Sequence, residues 1–287
     1  MTIHGSNRWY FVAALLAANL FIWSAVFAEE SGGALTVAFL DVGQGDAIFI
    51  ESPTGKQVLV DGGPGRALFA PLSEMMPFYD RSIDVVIATH PDADHIGGLP
   101  EVLRRYDIDF FLDPGVSSDT GVYQALLRAR DESDAEYIVA RRGMEIALGD
   151  GAVLQILFPD RDMEGADTND ASIVAKLIYG GTSFLLTGDS PQKVEKYLAM
   201  RDGKKLDVDV LKAGHHGSKT STSDIFLGYT SPASVVLSVG AENRYGHPHA
   251  EVVARLTEFG AKILRTDEDG TVIMKSDGET IFAGDIF

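Results

Sequence analysis

Residues 90–95, His-Pro-Asp-Ala-Asp-His, put two imidazoles and two carboxylates within six positions. An apolar, β-branched run over 83–88 comes just before them. Gly97-Gly98-Leu99-Pro100 follows and leads into a helix-forming stretch at 101–105. The cluster is therefore expected on a tight strand-to-helix loop, where several side chains converge on one point. Imidazole nitrogens and carboxylate oxygens suit Zn2+, Mn2+ or iron, and two carboxylates favour a hard or borderline divalent ion. The plainer alternative is a polar helix start capped by Asp92 or Asp94. That alternative leaves the matching groups later in the chain unexplained.

Those groups recur in the same local setting. A strand at 182–187 ends in Gly188-Asp189-Ser190, with a helix expected from Gln192. Another at 206–212 ends in Gly214-His215-His216-Gly217-Ser218. A third at 233–240 leads to Tyr245-Gly246-His247-Pro248-His249 and a helix over 250–259. Six of the seven histidines, at 90, 95, 215, 216, 247 and 249, fall in these loops.

Further strands are expected at 34–41, 46–51, 56–61, 153–158, 172–179, 262–266, 271–276 and 279–283. Pro53-Thr54-Gly55 and Gly180-Gly181 mark two hairpins, and 122–130 reads as helix. The order predicts an α+β domain, two sheets facing each other with helices outside. A doubly wound parallel sheet is disfavoured, because hairpins recur and Gly43-Gln44-Gly45 is too short for a nucleotide-binding fingerprint.

With 287 residues, 45% of them apolar, the chain can bury a substantial core, and without cysteine it has neither disulfides nor thiolate metal sites. The formal charge of −18 opposes broad binding to phosphate backbones. A local basic rim of Lys212, Lys219 and Arg244 is expected beside the histidine loops. Residues 9–28 carry no charge and follow Arg8, so 1–28 reads as a signal peptide or an N-terminal membrane anchor. Either reading leaves 29–287 as the functional domain and places it outside the cytoplasm, secreted or membrane-anchored. No stable protein partner and no oligomeric state are inferable.

The motif at 90–95 resembles the H-x-[HD]-x-D-H motif of the metallo-β-lactamase superfamily. Val58-Leu59-Val60-Asp61-Gly62-Gly63 is similar to that family's strand ending in a structural Asp, and Gly188-Asp189 to its bridging-carboxylate motif. Phe39–Ala47, Gly214–Ser221 and Tyr245-Gly246-His247-Pro248 are similar to the C-terminal hydrolase domain of ComEC-type DNA-internalisation proteins. The resemblance runs from about residue 35 to 285. It implies a four-layer αββα sandwich and, since the channel region of such proteins is not in this chain, a stand-alone hydrolase relative. Two departures stand out. Asp92 occupies a position where many members have His, which implies an oxygen-richer site. No His lies between His95 and His215, and the matching region is Asn169-Asp170-Ala171-Ser172.

The resemblance implies two divalent ions, Mn2+ or Zn2+. His90 and Asp92 would hold one; Asp94, His95 and His215 would hold the other; Asp189 would bridge. A water activated by both ions would attack phosphorus or a carbonyl carbon, with Asp94 receiving its proton. His216 would orient His215 or face substrate, since adjacent residues of a regular strand cannot both point inward. His247 would contact a phosphate oxygen or protonate a leaving group. Ser218, Lys219 and Thr220 are expected to bind an anion, Asn169 to contact substrate, and Asn169, Asp170, water or substrate to complete the first ion's shell. The implied activity is a phosphodiesterase or nuclease, with single-stranded DNA or short oligonucleotides as substrate. Hydrolysis of a lactam, lactone or thioester, or metal binding without turnover, are the alternatives.

Overall fold

A computed structural model describes the backbone of residues 6–30 and 33–284, and the side chains of 9–21 and 33–284. In chain order the first strands are β1 (Leu35–Phe39), β2 (Ile48–Glu51), β3 (Gln57–Val60), β4 (Ser82–Ile87), β5 (Asp107–Asp113), β6 (Glu136–Val139) and β7 (Glu145–Gly149). They are followed by β8 (Ala152–Phe158), β9 (Val174–Tyr179), β10 (Thr182–Leu186), β11 (Val210–Lys212), β12 (Ser234–Leu237), β13 (Lys262–Arg265), β14 (Val272–Ser276) and β15 (Ile281–Ala283). The helices are α1 (Ser6–Glu30), α2 (Phe69–Met75), α3 (Ala93–Ile96), α4 (Leu99–Arg105), α5 (Gly121–Glu132), α6 (Gln192–Asp202), α7 (Asp224–Thr230), α8 (Ala250–Phe259) and α9 (Thr266–Asp269).

Among the described residues the strands form two mixed sheets, ordered β15-β14-β1-β2-β3-β4-β5-β6 and β13-β12-β11-β10-β9-β8-β7. Side-chain alternation explains why they stack. On β3, Val58 and Val60 face the other sheet while Leu59 faces outward; on β10, Phe184 and Leu186 face inward and Leu185 outward. The inner faces make one shared core that includes Phe39, Ile50, Ile87, Leu154, Leu177, Phe184 and Val236. The outer face of the first sheet packs on Leu72, Leu99, Val102 and Leu126 of α2, α4 and α5. The outer face of the second packs on Val194, Leu198, Phe226, Leu227, Val252 and Leu256 of α6, α7 and α8. The result is the expected αββα sandwich.

Both expected hairpins are present, with β2 antiparallel to β3 and β9 antiparallel to β10. The strand expected over 206–212 is shorter, because Gly203–Leu206 forms a 3-10 turn before β11. Strands β5, β6 and β7 were not anticipated. On α1 the side chains of residues 9–21 are exposed, and residue 28, the expected end of the leader or anchor, lies outside the described side chains. Among the described residues no helix is long and apolar enough to cross a membrane.

Candidate metal centre

The site lies where parallel strands of both sheets end. β3 pairs in parallel with β4, and β10, β11 and β12 run parallel to one another. Asp61 follows β3, His90 follows β4, and α3 carries Asp94 and His95. Asp189 follows β10, His215 and His216 follow β11, and Ser238 follows β12. Gly45 lets the loop after β1 join them. Its φ is +146°, and a Cβ there would sit 2.2 Å from the Asp94 carbonyl oxygen.

Hydrogen bonds fix the direction of three imidazoles. Asp61 accepts from the Thr89 amide and hydroxyl, each at 2.7 Å, and from His95 Nδ1 at 2.8 Å. With its proton on Asp61, the Thr89 hydroxyl is left to accept from His90 Nδ1 at 3.0 Å. His216 Nδ1 donates to the Ser238 carbonyl at 2.9 Å. Each Nδ1 is thereby occupied, and each Nε2 is turned into the site, where it is placed to ligate a metal once it carries no proton.

The Nε2 atoms meet carboxylates there. His95 Nε2 lies 3.3 Å from Asp189 Oδ1 and 3.3 Å from His216 Nε2. His216 Nε2 lies 3.4 Å from Asp94 Oδ2 and 3.5 Å from Asp189 Oδ2. His90 Nε2 lies 3.7 Å from Asp92 Oδ2 and 3.9 Å from Asp189 Oδ2. Among the described residues, buried His90 Nε2 and Asp189 Oδ1 have no hydrogen-bond partner. Two facing ring nitrogens and orphaned donor atoms of this kind call for a cation between them. The donor set therefore fits divalent metal ions.

One group of close ligand atoms is Asp46, His95, Asp189 and His216, all within 4.8 Å of one another. Asp46, however, lies 3.3 Å from His216 Nδ1 and 3.7 Å from His95 Nδ1, behind the imidazoles. Its place is that of a supporting anion. Asp94, Asp92 and Asp189 are the carboxylates on the Nε2 side.

Electrostatics without metal follow from the same crowding. Burial alone would push His216 down, but Asp189 and Asp46 outweigh it and carry it up to about 9. Burial is likewise outweighed at His95 by Asp189 and Asp61, which raise it well above the usual histidine value. Asp189 is held well below the carboxylate range, since His216 and His95 overcome its burial. His90 goes the other way: burial, aided by His95, lowers it to about 3. In the metal-free protein, protons on His95 and His216 thus stand where cationic charge is wanted.

The histidine pair after β11 sits on a turn, Gly214–Gly217, and not on a strand. His215 and His216 both have left-handed backbones, with φ of 51° and 54°. Such conformations cost roughly 1–2 kcal/mol for a residue with a Cβ. The turn sends the buried His216 to Asp94 and His95, the position expected for His215. His215 instead approaches Asp189 Oδ2 at 3.6 Å from the rim, with 28% of its side chain exposed. Its Nδ1 meets Thr220 Oγ1 at 3.2 Å.

The remaining expected residues are placed as follows. His247 is half-buried, its ring 5.6 Å from that of His215 and 6.4 Å from that of His216. Asn243, unanticipated, holds this loop by donating to the Gly240 and His247 carbonyls and accepting from the His247 amide. Ser218 Oγ is spent on Thr220 Oγ1 at 2.9 Å. The Lys219 amide meets His249 Nδ1 at 3.3 Å, and its side chain is exposed. Asn169 Oδ1 is buried without a partner, whereas Asp170 pairs with Lys193. Lys212 is not on a basic rim: it is completely buried beneath the site, paired with Asp46. Strand alternation carried that signal, because Lys212 shares the inward face of β11 with Val210.

The chain is similar to several known proteins. The model of the metallo-beta-lactamase superfamily matches residues 40–240. ComE operon protein 3 of Bacillus subtilis (strain 168) is 33% identical over 271 residues, covering 88% of this chain and 34% of that protein. Competence protein ComA of Neisseria gonorrhoeae is 30% identical over 264 residues, covering 91% of this chain and 35% of that one. The chain thus spans about a third of the length of these curated relatives. The solved structure of CmlA, a diiron beta-hydroxylase from Streptomyces venezuelae, matches 81% of this chain and 53% of its own, with a TM-score of 0.54 and 16% identity, a likeness of fold.

Proposed function

The chain belongs to the metallo-β-lactamase superfamily, and from that premise we propose that it is a metal-dependent phosphodiesterase acting on single-stranded DNA or short oligonucleotides. The observation that carries the reading is the inward convergence of three Nε2 atoms, from His90, His95 and His216, on Asp92, Asp94 and Asp189. His90 and Asp92, with His215 at the rim, would hold one divalent ion, and Asp94, His95 and His216 a second, with Asp189 available to both. Mn2+ or Zn2+ bound there supplies Lewis acidity toward a phosphoryl oxygen and an ionised water near neutral pH.

The chain's own groups do the rest. Asp94 reaches the site with one carboxylate edge and accepts the proton of the attacking water. Burial, with His215 and His216 nearby, lowers His247 to about 4, so it is neutral at pH 7. A neutral imidazole suits donation of a hydrogen bond to a phosphate oxygen better than storage of a second proton. Tyr245 lies nearly parallel to His247, with ring centroids 5.7 Å apart and planes at 22°, and is half exposed. The Arg244 guanidinium lies 5.0 Å from the Tyr245 ring. Together they offer an aromatic face to an unpaired base and a cation to its phosphate. The net charge of −18 disfavours the many phosphates of a duplex. Similarity to competence proteins supports a nucleic-acid substrate. A leader or anchor in residues 1–28 would put this reaction outside the cytoplasm.

The test is incubation of the full chain with 5′-labelled single- and double-stranded DNA in Mn2+, Zn2+ or EDTA, beside Asp94→Ala. Cleavage of single strands that requires metal and Asp94 is expected. Intact DNA in every lane, with nitrocefin or a thioester hydrolysed instead of bis-p-nitrophenyl phosphate, would overturn the phosphodiesterase reading.

A further inference from the structure

Lys212 is the group beneath the site that the proposed chemistry does not use. Its side chain is 0% exposed, which for a lysine demands compensation. It has three partners. Its ammonium pairs with the carboxylate of Asp46. It donates to the Gly188 carbonyl at 3.0 Å, and it lies 3.8 Å from Asp189 Oδ1. Its own carbonyl accepts from Thr187 Oγ1 at 2.9 Å, so the ends of β10 and β11 are tied at this residue.

These contacts meet the metal centre from behind at two places. The first is the turn that presents Asp189. Gly188 has a left-handed backbone, with φ of +51°, and a Cβ there would lie 3.1 Å from Thr89 and 3.2 Å from Ser172. Lys212 anchors the carbonyl of that turn one residue before the carboxylate shared by both halves of the site. The second is Asp46, whose oxygens lie behind the Nδ1 atoms of His95 and His216. Held by Lys212, Asp46 keeps a fixed position against both imidazoles.

We propose that Lys212 is a positioning residue for the metal centre, setting Asp189 through Gly188 and setting His95 and His216 through Asp46. The inference rests on the metal-dependent reading of this site. It assigns the buried ammonium to the geometry of the ligands, beyond a role in stabilising the fold. Groups behind metal ligands characteristically change metal affinity by about 10–100-fold when lost.

The test separates position from stability and from charge. Lys212→Met alone deprives the buried Asp46 of its ammonium partner, and that variant is expected to lose stability. Lys212→Met/Asp46→Asn removes the whole pair with no change in net charge and no orphaned ion. Mn2+ affinity of both variants and of the wild-type full chain is measured by calorimetry and by electron paramagnetic resonance of free Mn2+, with thermal unfolding in EDTA alongside. The double variant is expected to unfold near the wild-type temperature yet bind Mn2+ at least tenfold more weakly. A double variant that binds Mn2+ as tightly as wild type would overturn the positioning role and leave the metal-dependent reading standing. A wild-type chain that binds no Mn2+ or Zn2+ would overturn both.

Discussion

The half of the centre formed by Asp94, His95 and His216 and the half formed by His90, Asp92 and His215 share Asp189 but differ in how firmly the protein holds them. In the first, both imidazoles are fully buried, both Nδ1 atoms are committed, and Asp46 and Lys212 back them. In the second, only His90 is buried. The side chain of Asp92 is 39% exposed and that of His215 28%, and Asn169 stands in the region where a third His would be expected. The two imidazoles of the first half are held in place before an ion arrives, while its carboxylate, Asp94, has a side chain 32% exposed. The second must order exposed side chains on binding, which costs conformational entropy and lowers affinity. On the proposed two-ion reading, one edge of the fold would carry a resident ion beside a more exchangeable one.

Substitutions can break this comparison. The largest contrast is expected between neighbours: His216→Ala should lower activity on the order of 100-fold and strip the tightly held ion, while His215→Ala should cost roughly tenfold and leave that ion in place. Turnover and bound metal after dialysis check this, and equal losses would mean the turn does not sort the two histidines. A smaller effect is expected from Asp92→His. A third nitrogen in the looser half should raise its Zn2+ affinity about tenfold and favour Zn2+ over Mn2+, as measured by competition.

The smallest effect is in the pH dependence of the metal-free protein, where the halves have opposite signs. His216 has its pKa raised to about 9, so its stabilisation is present below 6.5 and is lost as pH rises through 9. His90 has its pKa lowered to about 3, so the unfolded chain takes up its proton first and stability falls as pH drops from 6.5 towards 3. Thermal unfolding in EDTA should therefore peak near pH 6.5. With Mn2+ the alkaline decline should shrink, because a ligating imidazole no longer depends on its second proton. A metal-free midpoint that rises from pH 7 to 9 would contradict the charge assignment at His216.

The strands that end at the site were readable because each contains an apolar run that gives way to polar residues, glycine or proline, as at Leu186-Thr187-Gly188-Asp189 and Ile87-Ala88-Thr89-His90-Pro91. Strands β6 and β7 escaped because they are sheet edges, short and polar on the solvent side, and β5 carries Asp107, Asp109 and Asp113 among its apolar residues. Most of the His and Asp residues that converge here stood out by their clustering on strand-end loops, while their roles as ligands are what the family resemblance implies. The choice between His215 and His216 was not legible, since it depends on two consecutive left-handed residues that spacing does not encode. The pairing of Asp46 with Lys212 was hidden for another reason. Alternation along β11 turns Lys212 inward, but Asp46 reads locally as an ordinary charged residue, and only the stacking of the two sheets brings the two into one buried pair.

The most direct measurement is a titration of the metal-free full chain with Mn2+, following free ion by electron paramagnetic resonance. The account predicts two ions per chain in two classes, the tighter lost in His216→Ala and retained in His215→Ala. One class of equivalent ions, or loss of the tighter class in His215→Ala instead, would contradict a centre built from one firmly held and one loosely held half.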